Sequence, residues 1–252
     1  MCVRGFILCI PLICFGCSAV SPERLQTFQD AQSAFDAENY RQAVTLYEQV
    51  LDQGMQSGAV YYNLGNAWVK AEEPVRAVAA YYLAKRYIPN DPHLNANLQA
   101  VLTSNGGTIP PPDSSLAGYL FFWQNWIGYH TKIWCSIALA ALTFLSGVLY
   151  LYRQSKRFKH YLIGLSIFAA IAFASVGYDW YRFEHIEQII VTANALPRKG
   201  NSEQYEPAFV TPIPFGTLAV ILDERSGWYL LRFPNGQEGW LPQEQAVRLL
   251  AL

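Results

Sequence analysis

Two long uncharged runs, residues 133–151 and 161–178, constrain the fold more than any other feature of the sequence. Each run is largely apolar and contains no Asp, Glu, Lys or Arg. A helix rises about 1.5 Å per residue, so each run is about long enough to cross a hydrocarbon layer of roughly 30 Å. We therefore expect two transmembrane helices joined by a short turn, residues 152–160. The alternative is a buried helical hairpin in a soluble protein, which seldom needs two such runs.

The turn between the runs predicts the orientation of the hairpin. Its sequence, RQSKRFKH, contains four basic residues and no acidic residue, and short loops rich in Lys and Arg stay in the cytoplasm. The segments before and after the hairpin should then both lie outside the cytoplasm. Aromatic residues typical of a headgroup interface flank the outer ends of the two runs, namely Trp123, Trp126, Tyr129, Trp134, Tyr178, Trp180 and Tyr181.

Residues 1–19 have the layout of a secretory signal sequence. Arg4 precedes an apolar run from Phe6 to Phe15, and small residues follow. Such a leader supplies the first crossing that the predicted topology requires. Three outcomes stay open for it: lipid attachment to Cys17, which follows a glycine as in the bacterial lipobox, cleavage after Ala19, or retention as an uncleaved anchor.

Composition and motifs argue against several classes of function. A net charge of -1, with basic residues clustered only in the turn, gives no indication of nucleic-acid binding. Four of the five cysteines lie in the leader and the fifth, Cys135, lies in the first apolar run, so no disulfide framework is expected. The sequence contains no phosphate-binding loop, nucleophile elbow or metal-ligand spacing. We therefore expect a protein that is not an enzyme and has no cofactor.

Residues 23–102 are predicted to be helical and contain an internal repeat. Aligning the two halves places Ala43 over Ala77, Tyr47 over Tyr81 and Val50 over Ala84, each pair 34 residues apart. In the second copy, signature positions of the tetratricopeptide (TPR) repeat are occupied by Leu64, Gly65, Trp68, Ala77, Tyr81, Ala84 and Pro89. The segment therefore resembles a TPR module, which implies pairs of antiparallel helices. A further helix with Asp91 as N-cap and Pro92 as its first residue should cap the stack.

The resemblance to TPR modules implies a protein-binding groove on the first helix of each pair. Its inward positions in the second repeat would be Tyr62, Asn63, Asn66 and Lys70. Only Asn63 matches the residues with which some TPR modules grip a C-terminal carboxylate, so that mode of binding is disfavoured. The asparagines would instead hold a peptide backbone, or they are solvated polar residues on an unused face.

Residues 103–132 connect the helical module to the first apolar run. The first part, TSNGGTIPPPDSS, is rich in Gly and Pro and is expected to end the helix. The second part, LAGYLFFWQNWIGYH, is too aromatic for a free linker, and we expect it to lie in the membrane interface.

Residues 186–252 change character to short strands that are predicted to form two hairpins. Asn235 and Gly236 predict a tight primed turn in the second hairpin. The order Gly227-Trp228-Tyr229, then Gly236-x-x-Gly239-Trp240-Leu241-Pro242, resembles a bacterial SH3-like domain. That resemblance implies an all-β barrel whose peptide-binding shelf would include Trp228 and Pro242. The alternative is that Trp228 and Trp240 close a small barrel core.

The whole chain is thus predicted to be a multidomain membrane protein with an all-α TPR module, a transmembrane α-hairpin and an SH3-like barrel. This order of parts resembles the BatE-like proteins of bacterial aerotolerance operons. The resemblance implies a scaffold at the bacterial inner membrane, with both folded modules in the periplasm. It also implies partners such as von Willebrand A-type membrane proteins and a MoxR-type ATPase system. The alternative function is a cell-wall-binding protein that positions or regulates a peptidoglycan hydrolase through its SH3-like domain.

Overall fold

A computed structural model describes residues 21–108 and 121–249 of the chain. The predicted signal sequence, with Cys17, and residues 109–120 of the linker lie outside the described residues. Within the described ranges, eight α-helices precede a five-stranded antiparallel sheet, so the predicted mixture of helical and β-sheet modules is confirmed. The helices are α1 (Pro22–Asp36), α2 (Tyr40–Asp52), α3 (Gly58–Lys70), α4 (Pro74–Lys85), α5 (Pro92–Ser104), α6 (Trp123–Trp126), α7 (Tyr129–Arg153) and α8 (Lys156–His185). The strands are β1 (Gln188–Val191), β2 (Leu218–Arg225), β3 (Trp228–Arg232), β4 (Glu238–Pro242) and β5 (Ala246–Arg248).

The helical module, α1 to α5, is built from two helix pairs and a fifth helix. Helix α1 packs against α2, α3 packs against α4, and α5 continues the stack against α4. A Cβ atom on Gly65 would overlap the ring of Tyr81, so glycine is needed where α3 and α4 approach each other. The residues aligned in the sequence repeat are all at most 2% exposed, namely Ala43, Tyr47, Val50, Ala77, Tyr81 and Ala84.

The loops within the two helix pairs repeat the same conformation. Glu38 and Glu72, 34 residues apart, have positive φ angles of 62° and 63°. The residue after each glutamate donates its backbone N–H to the helix before it: Asn39 to the carbonyl of Ala34 at 2.9 Å, and Glu73 to that of Trp68 at 3.0 Å. The backbone therefore has the 34-residue period that the side chains of the sequence predict.

Helix α5 begins as the sequence predicts. The Asp91 carboxylate accepts a hydrogen bond from the backbone N–H of Leu94 at 2.8 Å, and Pro92 is the first helical residue. This cap satisfies a backbone N–H that has no partner inside the helix.

Helices α7 and α8 form an apolar hairpin, and each is long and apolar enough to cross a membrane. They extend beyond the uncharged runs at 133–151 and 161–178, because the flanking aromatic and charged residues continue the helices. The non-helical turn is therefore shorter than residues 152–160 and consists of Gln154 and Ser155. Only 11% of the most apolar window of each helix is buried within the described residues, unlike the core helices of a soluble protein. All four basic residues around the turn are exposed.

The β-sheet module has the strand order β4-β3-β2-β1-β5 with antiparallel pairing throughout. The prediction of a primed turn at Asn235-Gly236 is wrong, because only Gly236 has a positive φ. The loop contains Pro234, whose ring holds φ near -65°, and the backbone N–H of Gly236 donates to the carbonyl of Phe233 at 2.9 Å. The two positive φ values that a type I′ turn needs occur instead at Ser226 and Gly227, between β2 and β3.

The helical module and the β-sheet module share one hydrophobic core. Ile190, Phe215 and Leu249 are buried in the same cluster as the side chains of α4 and α5. Gly216 lies against the side chain of Leu102, and the Tyr82 hydroxyl donates a hydrogen bond to its carbonyl at 3.3 Å. The sequence leaves open whether the short repeat stack needs a partner; within the chain, the β-sheet module covers its final helix.

Candidate functional site

The predicted groove contains a cluster of polar side chains that hydrogen-bond to one another. The side-chain oxygen of Asn66 accepts hydrogen bonds from the Tyr81 hydroxyl at 2.8 Å and from the Asn97 amide at 2.9 Å. The same Asn97 amide donates to the Tyr62 hydroxyl oxygen at 3.1 Å. The cluster joins helices α3, α4 and α5 of the helical module. Of the predicted site residues, Tyr62 and Asn66 are therefore brought together, and part of their hydrogen-bonding capacity is used inside the protein.

Burial controls the ionisation of Tyr81, the phenol that joins α4 to this cluster. Burial raises the pKa of Tyr81 well above the usual phenol value, and the hydroxyl of Tyr62 raises it further, while Asn97 opposes the shift. Tyr81 is thus a neutral hydrogen-bond donor at any physiological pH. The cluster can position groups and donate hydrogen bonds, but the phenol of Tyr81 is not a base.

Asn63 and Lys70 lie apart from this cluster. Asn63 is half-buried, and Lys70 is exposed in the last turn of α3. Within the described residues, neither side chain makes a hydrogen bond or an ion pair with the protein. They are the members of the predicted site whose polar groups are available to a partner.

Trp228 and Pro242 lie side by side at the end of the β3–β4 ladder. Their Cα atoms are register partners, and Leu230 and Trp240 form the next outward-facing pair. These four side chains are half-buried, whereas Tyr229, Leu231 and Leu241, which alternate with them, are buried. The core is therefore filled by the alternate residues, and Trp228 and Trp240 belong to the outer face. We call Trp228, Leu230, Trp240 and Pro242 the outer β face.

The sequence did not predict a buried ion pair at the outer ends of the hairpin helices. The ammonium of Lys132 in α7 donates to Asp179 in α8 at 2.6 Å, with both side chains less than a tenth exposed. It also donates to the backbone and side-chain oxygens of Gln124 in α6, both at 2.7 Å. The Ser175 hydroxyl donates to the same Gln124 side-chain oxygen at 2.8 Å. The network ties the short aromatic helix α6 to both long helices.

A signal for this pair was present in the sequence. Lys132 directly precedes the first uncharged run and Asp179 directly follows the second. In an antiparallel hairpin such positions lie at the same level, and a buried charge needs an opposite charge beside it.

A cleft of about 520 Å³ opens where the helical module meets strand β5. Its lining combines three carboxylates, one guanidinium and three apolar side chains: Glu48, Asp52, Glu73, Arg76, Leu51, Val75 and Val247. Burial raises the pKa of Glu48 and nearby Asp52 raises it further, whereas Arg76 lowers it. The guanidinium of Arg76 itself lies over the Trp68 ring, 4.7 Å from the ring centroid.

Comparison with known proteins does not assign the chain to a family. No protein-family model matches it, and no curated protein matches it. Within the described residues, no group of three or more His, Cys, Asp or Glu side chains is arranged to hold a metal ion.

Proposed function

We propose that this chain is a non-enzymatic scaffold of the inner membrane, similar to BatE-like aerotolerance proteins, whose two modules bind proteins in the periplasm. The observation that carries the proposal is that both modules meet the hairpin at the end opposite its basic turn. The backbone N–H of Tyr129, at the start of α7, donates to the carbonyl of Arg86 at 3.0 Å. Strand β1 begins at Gln188, with only two residues between it and the end of α8 at His185. With the basic turn in the cytoplasm, both modules would lie on the other side of the membrane.

The identification of the helical module as TPR-like rests on two agreeing periods. Side chains at the aligned positions are buried in both repeats, and the loops at Glu38 and Glu72 have the same backbone conformation. A TPR module presents the first helix of each pair to its partner. In the second repeat that helix is α3, and Asn63 and Lys70 would make the polar contacts.

The identification of the C-terminal module as SH3-like is supported by its strand order and by one short helix. The 3-10 helix Gln243–Gln245 lies between β4 and β5, and β5 pairs with β1 to extend the sheet. This is the arrangement expected of an SH3-like barrel. Its partner-binding surface would be the outer β face around Trp228 and Pro242.

The proposed topology is tested with reporter fusions. Alkaline phosphatase fused near Gly106 or after Leu252 should be active, because it folds only outside the cytoplasm, and green fluorescent protein at the same sites should be dark. A third fusion at Gln154, in the turn, is the matched control and should give the opposite result. Fluorescence from either outer site would refute the proposal.

The proposed partners are tested by co-purification from membranes. The full chain should retain von Willebrand A-type membrane proteins and the MoxR-type ATPase, and Asn63→Ala combined with Lys70→Glu should reduce their recovery. Gln32→Ala, an exposed change on α1, tests whether the contact is specific to α3. Equal recovery with all variants would contradict the assignment of the groove.

A second candidate function, cell-wall binding, is favoured by the partial exposure of the outer β face. Residues 186–252 are unsuitable as an isolated fragment, because Ile190, Phe215 and Leu249 would lose the helical part of their core. The full chain in detergent should instead be sedimented with purified peptidoglycan sacculi. Cell-wall binding is supported if the wild type sediments with the sacculi and Trp228→Ala does not. If neither sediments, it is excluded.

A further inference from the structure

Arg86 lies at the junction between the helical module and the outer ends of the hairpin helices. It is the first residue after helix α4, and its backbone carbonyl accepts the hydrogen bond from the first residue of α7 described above. Asn90, four residues later, donates its side-chain amide to the carbonyl of Trp126 at 2.7 Å. These two contacts hold the backbone around Arg86 against the segment that begins the hairpin.

Three aromatic rings surround the guanidinium of Arg86. Its central carbon lies 3.8 Å from the ring centroid of Phe183 in α8, 4.8 Å from that of Tyr129 in α7, and 5.6 Å from that of Tyr87. Stacking on ring faces suits a planar guanidinium and leaves its N–H groups pointing outward in the plane. We call Arg86 with Phe183, Tyr129 and Tyr87 the Arg86 cage.

The rings of the cage do not neutralise this charge. Within the described residues, Arg86 makes no ion pair, its side chain donates no hydrogen bond, and its Nε is buried without a partner. Arg86 is half-buried, arginine keeps its charge in proteins, and removing part of a charge from water without a nearby anion costs free energy. The nearby cation Lys132 differs, because Asp179 and Gln124 accept its hydrogen bonds. Among the residues that the structure describes, the Arg86 cage therefore has no anion.

The position of the cage along the hairpin indicates which anion is located at its level. The exposed Trp134 and Trp180 lie toward the membrane centre from Tyr129 and Phe183, by five and three residues respectively. A helical rise of about 1.5 Å per residue puts the cage about 5–8 Å outward from these tryptophans. Tryptophans of membrane proteins concentrate at the headgroup level. This step rests on the proposed membrane hairpin, and it places the cage among lipid phosphates.

We propose that the Arg86 cage binds a phosphate group, supplied by the headgroup of an anionic phospholipid. A guanidinium can donate two parallel hydrogen bonds to phosphate oxygens, which Lys cannot do in the same geometry. Phosphate bound here contacts residues held by α4, α7 and α8 at once. The lipid becomes part of the joint between the helical module and the hairpin.

The test is native mass spectrometry of the full chain in detergent, titrated with phosphatidylglycerol. Arg86→Gln should weaken lipid binding about tenfold, which corresponds to about 1.4 kcal/mol. Arg86→Lys keeps the charge but loses the paired hydrogen bonds, and it should fall in between. Arg182→Gln is the matched control, because Arg182 lies beside Phe183 at the same level and should not affect binding. Circular dichroism and thermal melting establish that each variant is folded.

Each outcome bears on the proposal. Unchanged lipid binding by folded Arg86→Gln would overturn it, and so would an equal loss in Arg182→Gln, since any cation at this level would then suffice. Arg86-dependent displacement of the lipid by millimolar inorganic phosphate would support the phosphate site and assign it to phosphate from solution. Absence of displacement supports the lipid as the source.

Flotation with phospholipid vesicles separates this proposal from the proposed function. The wild type and all Arg86 variants should float, because the apolar hairpin carries the chain into the bilayer. A wild type that does not float would refute the membrane hairpin. A wild type that floats but binds lipid independently of Arg86 would refute only the phosphate site.

Discussion

Replacing Lys132 by Met isolates the contribution of the buried ion pair at the outer ends of the hairpin. The change keeps most of the side-chain volume but removes the charge that faces Asp179 at 2.6 Å. It also removes the two hydrogen bonds that Lys132 donates to Gln124. Within the described residues, the Asp179 side chain then has no hydrogen-bond donor left.

The structure gives the size of the expected effect. At this separation and an effective dielectric constant near 20, the two charges attract by about 6 kcal/mol. Removing both ions from water costs several kcal/mol each, so the intact pair contributes a net free energy near zero. Losing one partner leaves the cost of burial without the attraction, and Lys132→Met should lower the free energy of unfolding by about 3–5 kcal/mol. Adding Asp179→Leu removes the stranded charge and should restore at least half of that loss.

The measurement is reversible unfolding in mixed micelles, with helicity followed as the fraction of denaturing detergent rises. Wild type, both single variants and the double variant form a double-mutant cycle. Lys159→Met removes an exposed charge beside the turn and should change stability by less than about 0.5 kcal/mol. A double variant as unstable as Lys132→Met, or a Lys132→Met variant within about 1 kcal/mol of wild type, would show that Asp179 is not a buried charge that depends on Lys132.

Three further predictions concern the helical module. Leu102→Ala should destabilise the full chain by about 2–5 kcal/mol and increase proteolysis of the β-sheet module, because it opens a cavity against Gly216. The control in limited proteolysis is Leu25→Ala, which changes an exposed leucine. Equal cleavage of the two variants would contradict the prediction. Gly65→Ala should cost about 1–3 kcal/mol in thermal or chemical unfolding, since its methyl group would overlap the Tyr81 ring; a stability equal to wild type would disprove the close approach of α3 and α4. Burial raises the pKa values of Tyr47 and Tyr61 from 10.0 to about 12. Below pH 10 these phenols are neutral in both the folded and the unfolded protein. Above pH 10 they ionise first in the unfolded protein, so the free energy of unfolding should fall between about pH 10 and 12, by up to roughly 2.7 kcal/mol per tyrosine. Tyr61→Phe should reduce this loss in alkaline unfolding curves, and an unchanged slope would argue against the burial of the phenol.

The features predictable from the sequence are those set by local pattern and length. Two uncharged runs specify two long helices, and a period of 34 residues specifies repeated helix pairs, because each depends only on residues near in sequence. Asp91 with Pro92 predicted the start of α5 for the same reason. The prediction of a primed turn at Asn235-Gly236 failed because Pro234 has no backbone N–H to donate across a two-residue loop. The paired positive φ angles occur in the other hairpin, at Ser226 and Gly227.

The side-chain partnerships depend on the three-dimensional arrangement and were not predicted. Lys132 and Asp179 are 47 residues apart, and their contact follows only once the hairpin register is fixed. The shared polar contacts of Asn66 and Asn97 required α5 to pack beside α3. The cage around Arg86 combines two residues that follow α4 with one residue each from α7 and α8. Periodicity predicts which face of a helix is buried, but it does not predict which neighbour covers that face.

The shared core at Leu102, Phe215 and Leu249 has a consequence for biosynthesis. The helical module is translated first, yet the residues that complete its core are translated only after both apolar helices have left the ribosome. The hydroxyl of Tyr82, for example, can form its hydrogen bond only after Gly216, 134 residues later in the chain, has been translated. A chain interrupted after the hairpin would expose an unfinished apolar surface to proteases, so quality control in the cell would remove such truncated products.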